Sequence, residues 1–285
     1  KRFKNYTEVG LITRNTKLTD KRDILKKYES KSMNILICTH TAFAFNLKNI
    51  KLGLLIIDEE QHFGVAQKEK IKQIKDNLHL LTLTATPIPR TLHMSLLGIR
   101  ELSLIQTPPI DRKSIKTIIC KFDNIIIKNA INNEIKRKGQ IFIITPRIKD
   151  IDTLTKRIKL IAPYIKFVIA HGRLSPTNIE KAMHDFYCHK ADILISTSII
   201  ESGIDIPRAN TLIVNNADRF GLSQLHQLRG RIGRSHLKAY AFFTLGKNKI
   251  TPNAHRRLKA LQAMDALGAG INLANYDLDI RGAGN

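Results

Sequence analysis

The sequence has no tryptophan, and only 3 of its 285 residues are cysteine. Cys38, Cys120 and Cys188 are odd in number, far apart and form no CxxC pair. That excludes a disulfide framework and a zinc site and fits a reducing, cytoplasmic setting. Long hydrophobic runs are missing as well. Stretches such as 54–57 fall far short of the roughly 20 apolar residues a membrane-spanning helix needs. Acidic residues are scarce, with 24 Asp and Glu against 47 Lys and Arg, a formal net charge of +23. The chain starts at Lys1 without a charged-then-apolar leader, so the expectation is that it is a piece of something longer. What remains is ordinary: 43% hydrophobic and 25% charged residues, in a length that suggests two domains with cores of their own.

A strongly basic chain invites a polyanion, because Lys and Arg that displace phosphate counterions bind nucleic acid almost regardless of sequence. A blander reading stands beside it. Lys, Ile and Asn are abundant throughout, as compositional drift alone would produce, and no Lys/Arg block is long enough to be a basic tail.

Short β-branched runs alternate with amphipathic stretches, the pattern of a parallel sheet covered by helices. In the first half the pattern predicts strands near 9–13, 34–39, 52–57 and 80–84, with helices near 19–28 and 66–75. Several of these strands are apolar at consecutive positions, as expected when both faces are buried. Residues 107–113 (TPPIDRK) lack periodicity and read as a linker. A second series follows, with strands at 115–120, 140–145, 166–170, 192–197, 211–215 and 240–244 and helices at 124–138, 150–161 and 175–187. Near residue 251 the pattern turns helical, with 252–266 and 271–278 broken by Gly268 and Gly270.

Four segments carry chemistry. In LLIIDEEQ (54–61) an apolar strand ends in Asp58 and Glu59. That places two carboxylates where open α/β sheets bind ligands: Asp58 on the Mg²⁺ side of a nucleotide's phosphates, Glu59 as base for a water. Acids that merely cap a strand would look the same. LTATPIPR (83–90) ends another strand with Thr84 and Thr86, whose hydroxyls could bridge the carboxylates to moving parts; a Thr-rich turn before a helix is the plainer alternative. QLHQLRGRIGRS (224–235) sets Gln227, Arg231 and Arg234 on a helix-to-turn segment, the two arginines three residues apart and able to reach one anion; a solvated basic face is the alternative. STSIIESGIDIP (196–207) follows a strand with Gly203 and Asp205, a place for phosphate or ribose contacts, as are Thr39 and His40 at the end of an earlier strand.

In this order the segments resemble motifs II, III, V and VI of superfamily 2 helicases and translocases. Over nearly the whole chain, DEEQHFGV, LTLTATPIPRTL, RELSLIQTPP, AHGRLSP, ADRFGLSQLHQLRGRIGRSHLKAYA and LGAGINLANYDLDIRGAGN resemble the bacterial transcription-repair coupling factors. RecG, a branched-DNA helicase, shares most motifs and the tail but typically reads DEQH at motif II. The resemblance implies an α/β fold of two RecA-like parallel-sheet domains, the first truncated at its N-terminus, followed by a helical hairpin. The expected bounds are 1–112, 113–246 and 247–285. It implies ATP and Mg²⁺ as cofactors, with Asp58 on the metal, Glu59 activating water, Arg231 and Arg234 as arginine fingers and Gln227 sensing nucleotide. Gly203 and Asp205 would serve the nucleotide. Thr39, His40 and Thr197 would contact the DNA backbone, and Thr84, Thr86 and Arg281 would couple hydrolysis to movement. The implied partners are double-stranded DNA and, through further domains, stalled RNA polymerase and excision-repair proteins. The alternatives are a RecG-like branched-DNA helicase piece and a non-catalytic DNA-binding remnant of a split gene.

One part of the motor is absent from these residues. GxxxxGK[ST], whose amides and Lys cradle nucleotide phosphates, does not occur; the only Gly-Lys pair is Gly246–Lys247, followed by Asn248. The expectation is that the 285-residue chain alone neither binds ATP tightly nor hydrolyses it.

Overall fold

The computed structural model describes residues 7–13, 16–39, 52–59, 63–64, 67, 69, 78–84, 101, 103, 105, 113–197, 206–246 and 250–263. The chain divides into two compact units, Lys1–Ala85 and Thr86–Asn285.

In the first unit the described elements are β1 (Glu8–Ile12), α1 (Leu18–Glu29), β2 (Met33–Cys38), β3 (Leu54–Asp58) and β4 (His79–Leu83). β1 pairs with β2 and β3 with β4, both in parallel. Parallel neighbours cannot be joined by a tight turn, and α1 is the crossover between the first two. The helix expected at 66–75 and the linker at 107–113 lie almost wholly outside the described residues.

The expectation that these strands are buried on both faces is not met. Ile12, Met33 and Ile57 are buried, whereas Leu54 and Ile56 on β3 and Leu81 and Leu83 on β4 are exposed. Register gives the reason: Ile56 lies beside Leu81 and Asp58 beside Leu83, so these residues share one face while Ile57 occupies the other.

The second unit holds a six-stranded parallel sheet in the order β5-β10-β9-β6-β8-β7. Its strands are β5 (Lys116–Lys121), β6 (Gln140–Ile144), β7 (Phe167–Ala170), β8 (Ile193–Ser196), β9 (Ala209–Val214) and β10 (Tyr240–Leu245). The helices are α2 (Asn124–Lys136), α3 (Lys149–Ile161), α4 (Pro176–Tyr187), α5 (Leu222–Arg229) and α6 (Pro252–Ala263). Here consecutive apolar residues do mean two buried faces. Ile141, Ile143, Ile193, Ile195 and Ile213 pack with Ile127, Ile131, Leu154 and Ile158 of α2 and α3. Phe142, Ile144, Leu194, Leu212 and Val214 pack on the other side with Phe186 of α4, Leu225 and Leu228 of α5 and Leu258 of α6.

Local chemistry sets the helix ends. The Asp123 carboxylate caps α2 by accepting from the Ile125 and Ile126 amides at 2.7 and 3.0 Å. Ser175 caps α4, whose first residue, Pro176, has no amide hydrogen to leave unpaired. Two buried polar groups tie helices to strands. Glu134 of α2 accepts from Arg137 and from the Thr211 hydroxyl of β9, and Gly139 leaves it room: a Cβ there would sit 1.7 Å from the carboxylate. Gln140 donates to the carbonyls of Phe186 and Ala191 at 2.7 and 2.9 Å, while its oxygen lies 2.9 Å from His189 Nδ1. Burial and, secondarily, the charge of Arg208 hold His189 below the ordinary imidazole range.

Two predictions follow from this packing. Phe142 is 1% exposed and its ring lies 5.3 Å from that of Phe186, so Phe142→Ala should remove about 3–5 kcal/mol from the second unit's unfolding free energy in urea. Leu160→Ala, at a position 83% exposed, should change it by less than about 0.5 kcal/mol. The second concerns pH. A histidine whose folded pKa is depressed is protonated first in the unfolded chain, so its contribution is present above the ordinary value of 6.5 and lost as pH falls below it. The urea midpoint should therefore drop between neutral and mildly acidic pH, and His189→Asn, which tolerates the left-handed φ of 60° there, should flatten that drop.

Candidate nucleotide and nucleic-acid sites

In a parallel sheet every strand delivers its carboxyl end to the same edge, and ligands of open α/β folds gather there. In the first unit, three of the four described strands end in residues singled out by sequence. Asp58 closes β3 and is exposed; Glu59 follows it, and its amide donates to the Leu83 carbonyl of β4 at 2.9 Å. That bond sets Glu59 beside the exit of β4, where Thr84 begins the next stretch. Glu59 has a φ of +54°, the left-handed region that costs a non-glycine residue energy unless its surroundings impose it. The chain thus turns sharply between the two carboxylates. Thr39 leaves β2 as an exposed residue, its amide donating to Ile12 O at 3.2 Å. His40 and Thr86 lie outside the described residues.

The first-unit site can hold a divalent cation with nucleotide phosphates through one carboxylate and water, which is the coordination Mg²⁺ favours. Asp58, exposed at a strand end, fits that use. Among the described residues no group of three or more His, Cys, Asp and Glu side chains is placed to hold a metal by itself.

In the second unit the same edge collects Thr145, His171, Thr197 and Asn215, each directly after a strand. The Thr145 amide donates to Ser196 O at 3.0 Å and the Asn215 amide to Ile144 O at 2.7 Å, so the exits of β8, β6 and β9 lie side by side. This is where the topology reverses, since the chain runs from β6 toward β7 and β8 and then crosses to β9 and β10. Thr197 is buried. Two residues that the sequence reading passed over stand out here. Thr145 Oγ1 and His171 Nδ1 are buried without a hydrogen-bond partner among the described residues, and such groups in a native fold ask for a ligand or ordered water. Their sequence signal is a hydroxyl or imidazole immediately after a buried strand, in ITPR and AHGR. Gly203 and Asp205 lie outside the described residues.

The RGRIGR segment is built around its apolar residue. α5 ends at Arg229, so Arg231 and Arg234 sit beyond it in a turn rather than on a helix face. Ile232 is fully buried. Gly233 has φ +71°, and a Cβ there would lie 3.1 Å from Ile115 and 3.2 Å from Ala239, so both conformation and space favour glycine. With the turn pinned at these two residues, Arg231 is half-buried and Arg234 exposed. Gln227 is buried on α5. Arg229, not singled out from sequence, is 6% exposed and donates to Leu261 O of α6 at 2.9 Å and toward Thr117 Oγ1 of β5 at 3.4 Å. It anchors the segment to the helix leading into the tail. Arg281 lies outside the described residues.

Comparison with known proteins agrees with this layout. Residues 1–95 match the DEAD/DEAH box helicase family, and residues 122–236 match the helicase conserved C-terminal domain. The chain is 51% identical over 257 residues to a transcription-repair-coupling factor of Rickettsia typhi, a match covering 90% of this chain and 23% of that protein. It is 46% identical over 286 residues to that of Bacillus subtilis, covering 100% of this chain and 24% of the relative. A solved structure described as RecG bound to a three-way DNA junction superimposes with a TM-score of 0.74 at 32% identity, covering 99% of this chain and 37% of that one. The chain thus spans about a quarter of the length of these curated relatives. Among the described residues no helix is long and apolar enough to cross a membrane. With two helicase models matched in order and coupling factors aligned along almost its full length, the chain belongs to the superfamily 2 helicases, as a region of the transcription-repair-coupling-factor type.

Proposed function

We propose that these residues form part of an ATP-driven motor that moves along double-stranded DNA. In the complete protein that motor would act in transcription-coupled repair, in the cytoplasm, against stalled RNA polymerase and together with excision-repair proteins. The observation that carries the reading is the adjacent pair Asp58 and Glu59, set at the carboxyl end of a parallel strand in a chain that aligns with coupling factors over 90–100% of its length.

Each residue then has a task. Asp58 would hold the Mg²⁺ that accompanies a bound nucleotide, and Glu59 would orient and deprotonate the attacking water. Arg231 and Arg234 offset the charge that develops on the transferring phosphoryl group, and Gln227 reports on the nucleotide from the same segment. Gly203 and Asp205 serve the nucleotide side. Thr39, His40 and Thr197 hold DNA phosphates, and Thr145 and His171 leave neighbouring strands at the same rim as Thr197. Thr84, Thr86 and Arg281 couple the chemistry to movement. Bound Mg²⁺–ATP supplies the free energy, and a phosphate-cradling loop is needed to retain it. The 285 residues contain no GxxxxGK[ST], so this chain by itself is inactive as an ATPase. A RecG-like role in remodelling branched DNA has the structural match in its favour, at 32% identity against 46–51% for the coupling factors.

Two measurements test the reading. The purified 285-residue chain should show no DNA-stimulated ATP hydrolysis; turnover that Glu59→Gln abolishes would overturn its proposed inactivity. Fused behind the segment that precedes this region in the Bacillus subtilis relative, it should hydrolyse ATP in a duplex-stimulated manner. Glu59→Gln should then lower kcat by about 10²–10⁴-fold with little change in nucleotide affinity, the loss expected for a general base. A folded fusion in which Glu59→Gln turns over like the parent would sink the assignment.

A further inference from the structure

The second unit's sheet has a second edge, where the strands begin, and it uses none of the motif residues. Each of the six strands is entered from a cation within three residues of its start. In sheet order these are Lys116 for β5, Lys238 for β10, Arg208 for β9, Lys138 for β6, Lys190 for β8 and Lys166 for β7. All six residues are exposed.

Hydrogen bonds, all but one between backbone groups, tie these residues to other strand starts. The Lys116 amide donates to Ala239 O at 2.9 Å, and Arg137 Nη1 donates to Lys238 O at 2.6 Å. The Gln140 amide donates to Arg208 O at 2.8 Å, and the Asp192 amide to Lys166 O at 2.8 Å. At a strand spacing of about 4.8 Å the row spans roughly 24 Å.

Five of the six cations make no side-chain hydrogen bond or ion pair with another described residue; Lys190 alone pairs, with Asp185 at 3.3 Å. The acids nearby are already engaged. Glu134 is buried against Arg137 and Thr211, and Asp192 accepts from the Lys166 amide at 3.1 Å. His189, in the same row beside Gln140, feels the field of Arg208.

Two plainer explanations fall short. Helix C-termini attract cations, which covers Lys138 after α2 and Lys190 after α4. It does not cover Lys116, Arg208 or Lys238, which enter their strands from loops. Compositional drift would scatter charge, not set one cation on every strand. At the opposite edge a cation lies within three residues of the ends of β5, β6, β7 and β10 but of neither β8 nor β9, so only the N-terminal edge carries an unbroken row.

We propose that this N-terminal edge is a second nucleic-acid surface that grips the phosphate backbone of duplex DNA, apart from the track at the carboxyl edge. A row of six exposed cations, five of them without an ion-pair partner among the described residues, suits a polyanion with about one charge per 1.7 Å of axis. None of the six residues is aromatic, so the row offers phosphate contacts without base stacking and binds regardless of sequence.

The test compares two variants of the full 285-residue chain with equal charge loss. One is Lys138→Gln/Arg208→Gln/Lys238→Gln on the edge; the other is Lys128→Gln/Lys156→Gln/Lys181→Gln on exposed faces of α2, α3 and α4. Binding to a fluorescent mixed-sequence duplex is followed by anisotropy over a range of KCl concentrations. Each lost phosphate contact lowers the slope of log K against log salt by about 0.9, so the edge variant should lose up to about 2.7 and the helix variant less than about 1. Equal losses in both variants, or none in either, overturn the proposal. If the triple edge variant unfolds, Lys238→Gln alone carries the test: a slope loss of about 0.9 supports the proposal, and an unchanged slope overturns it.

Discussion

All described strands in both units pair in parallel, and that polarity is the constraint on which the rest depends. A parallel sheet cannot mix its ends, so every carboxyl terminus falls on one edge and every amino terminus on the other. In the second unit crossover helices then cover both faces, and the central strands β6, β8 and β9 become fully buried on both sides. Chemistry is pushed to the rims, where side chains leave the sheet and water can reach them. Within each sheet the candidate site residues, after β2 in one, β3 and β4 in another and β6, β7 and β8 in the third, fall at that sheet's own carboxyl rim, without any convergence in the sequence to announce it.

Three polar residues inside the second unit, Gln140, Glu134 and Arg229, serve that arrangement rather than the chemistry itself. Gln140 and Glu134 tie the starts of strands to the ends of α2 and α4, and Arg229 ties α5 to α6. Each replaces water around a backbone or hydroxyl group that would otherwise be buried unpaired. The RGRIGR turn shows the same economy of space. Ile232 and Gly233 are locked into the core, and the flanking arginines take the positions that remain.

Much of this was legible from periodicity. The strands of the second unit begin and end within about two residues of their expected places, because buried parallel strands are short apolar runs bounded by turn residues. Asp58, Glu59 and Thr84 were legible for the same reason, as polar residues that stop an apolar run. The open face of β3 and β4 was not, since an apolar run looks alike whether one face or two are covered. The left-handed Glu59 was hidden too, because no residue type at that position signals φ > 0. Thr145 and His171 escaped because a single hydroxyl or imidazole after a strand is common; only their burial without a partner sets them apart. The buried roles of Arg229 and Glu134 ran against expectation for charged side chains, which are seldom fully buried unless paired.

Net charge weighs differently once the fold is known. Much of the +23 lies on outer helix faces, yet part is ordered into a row along the edge opposite the motif residues. We propose that the second unit's carboxyl rim engages DNA in the motor to which this chain belongs, and amide hydrogen exchange tests this most directly. On adding duplex DNA to the full chain, peptides holding Thr145, His171 and Thr197 should gain protection. An exchange pattern at those three strand exits that is unchanged at saturating duplex would contradict the account.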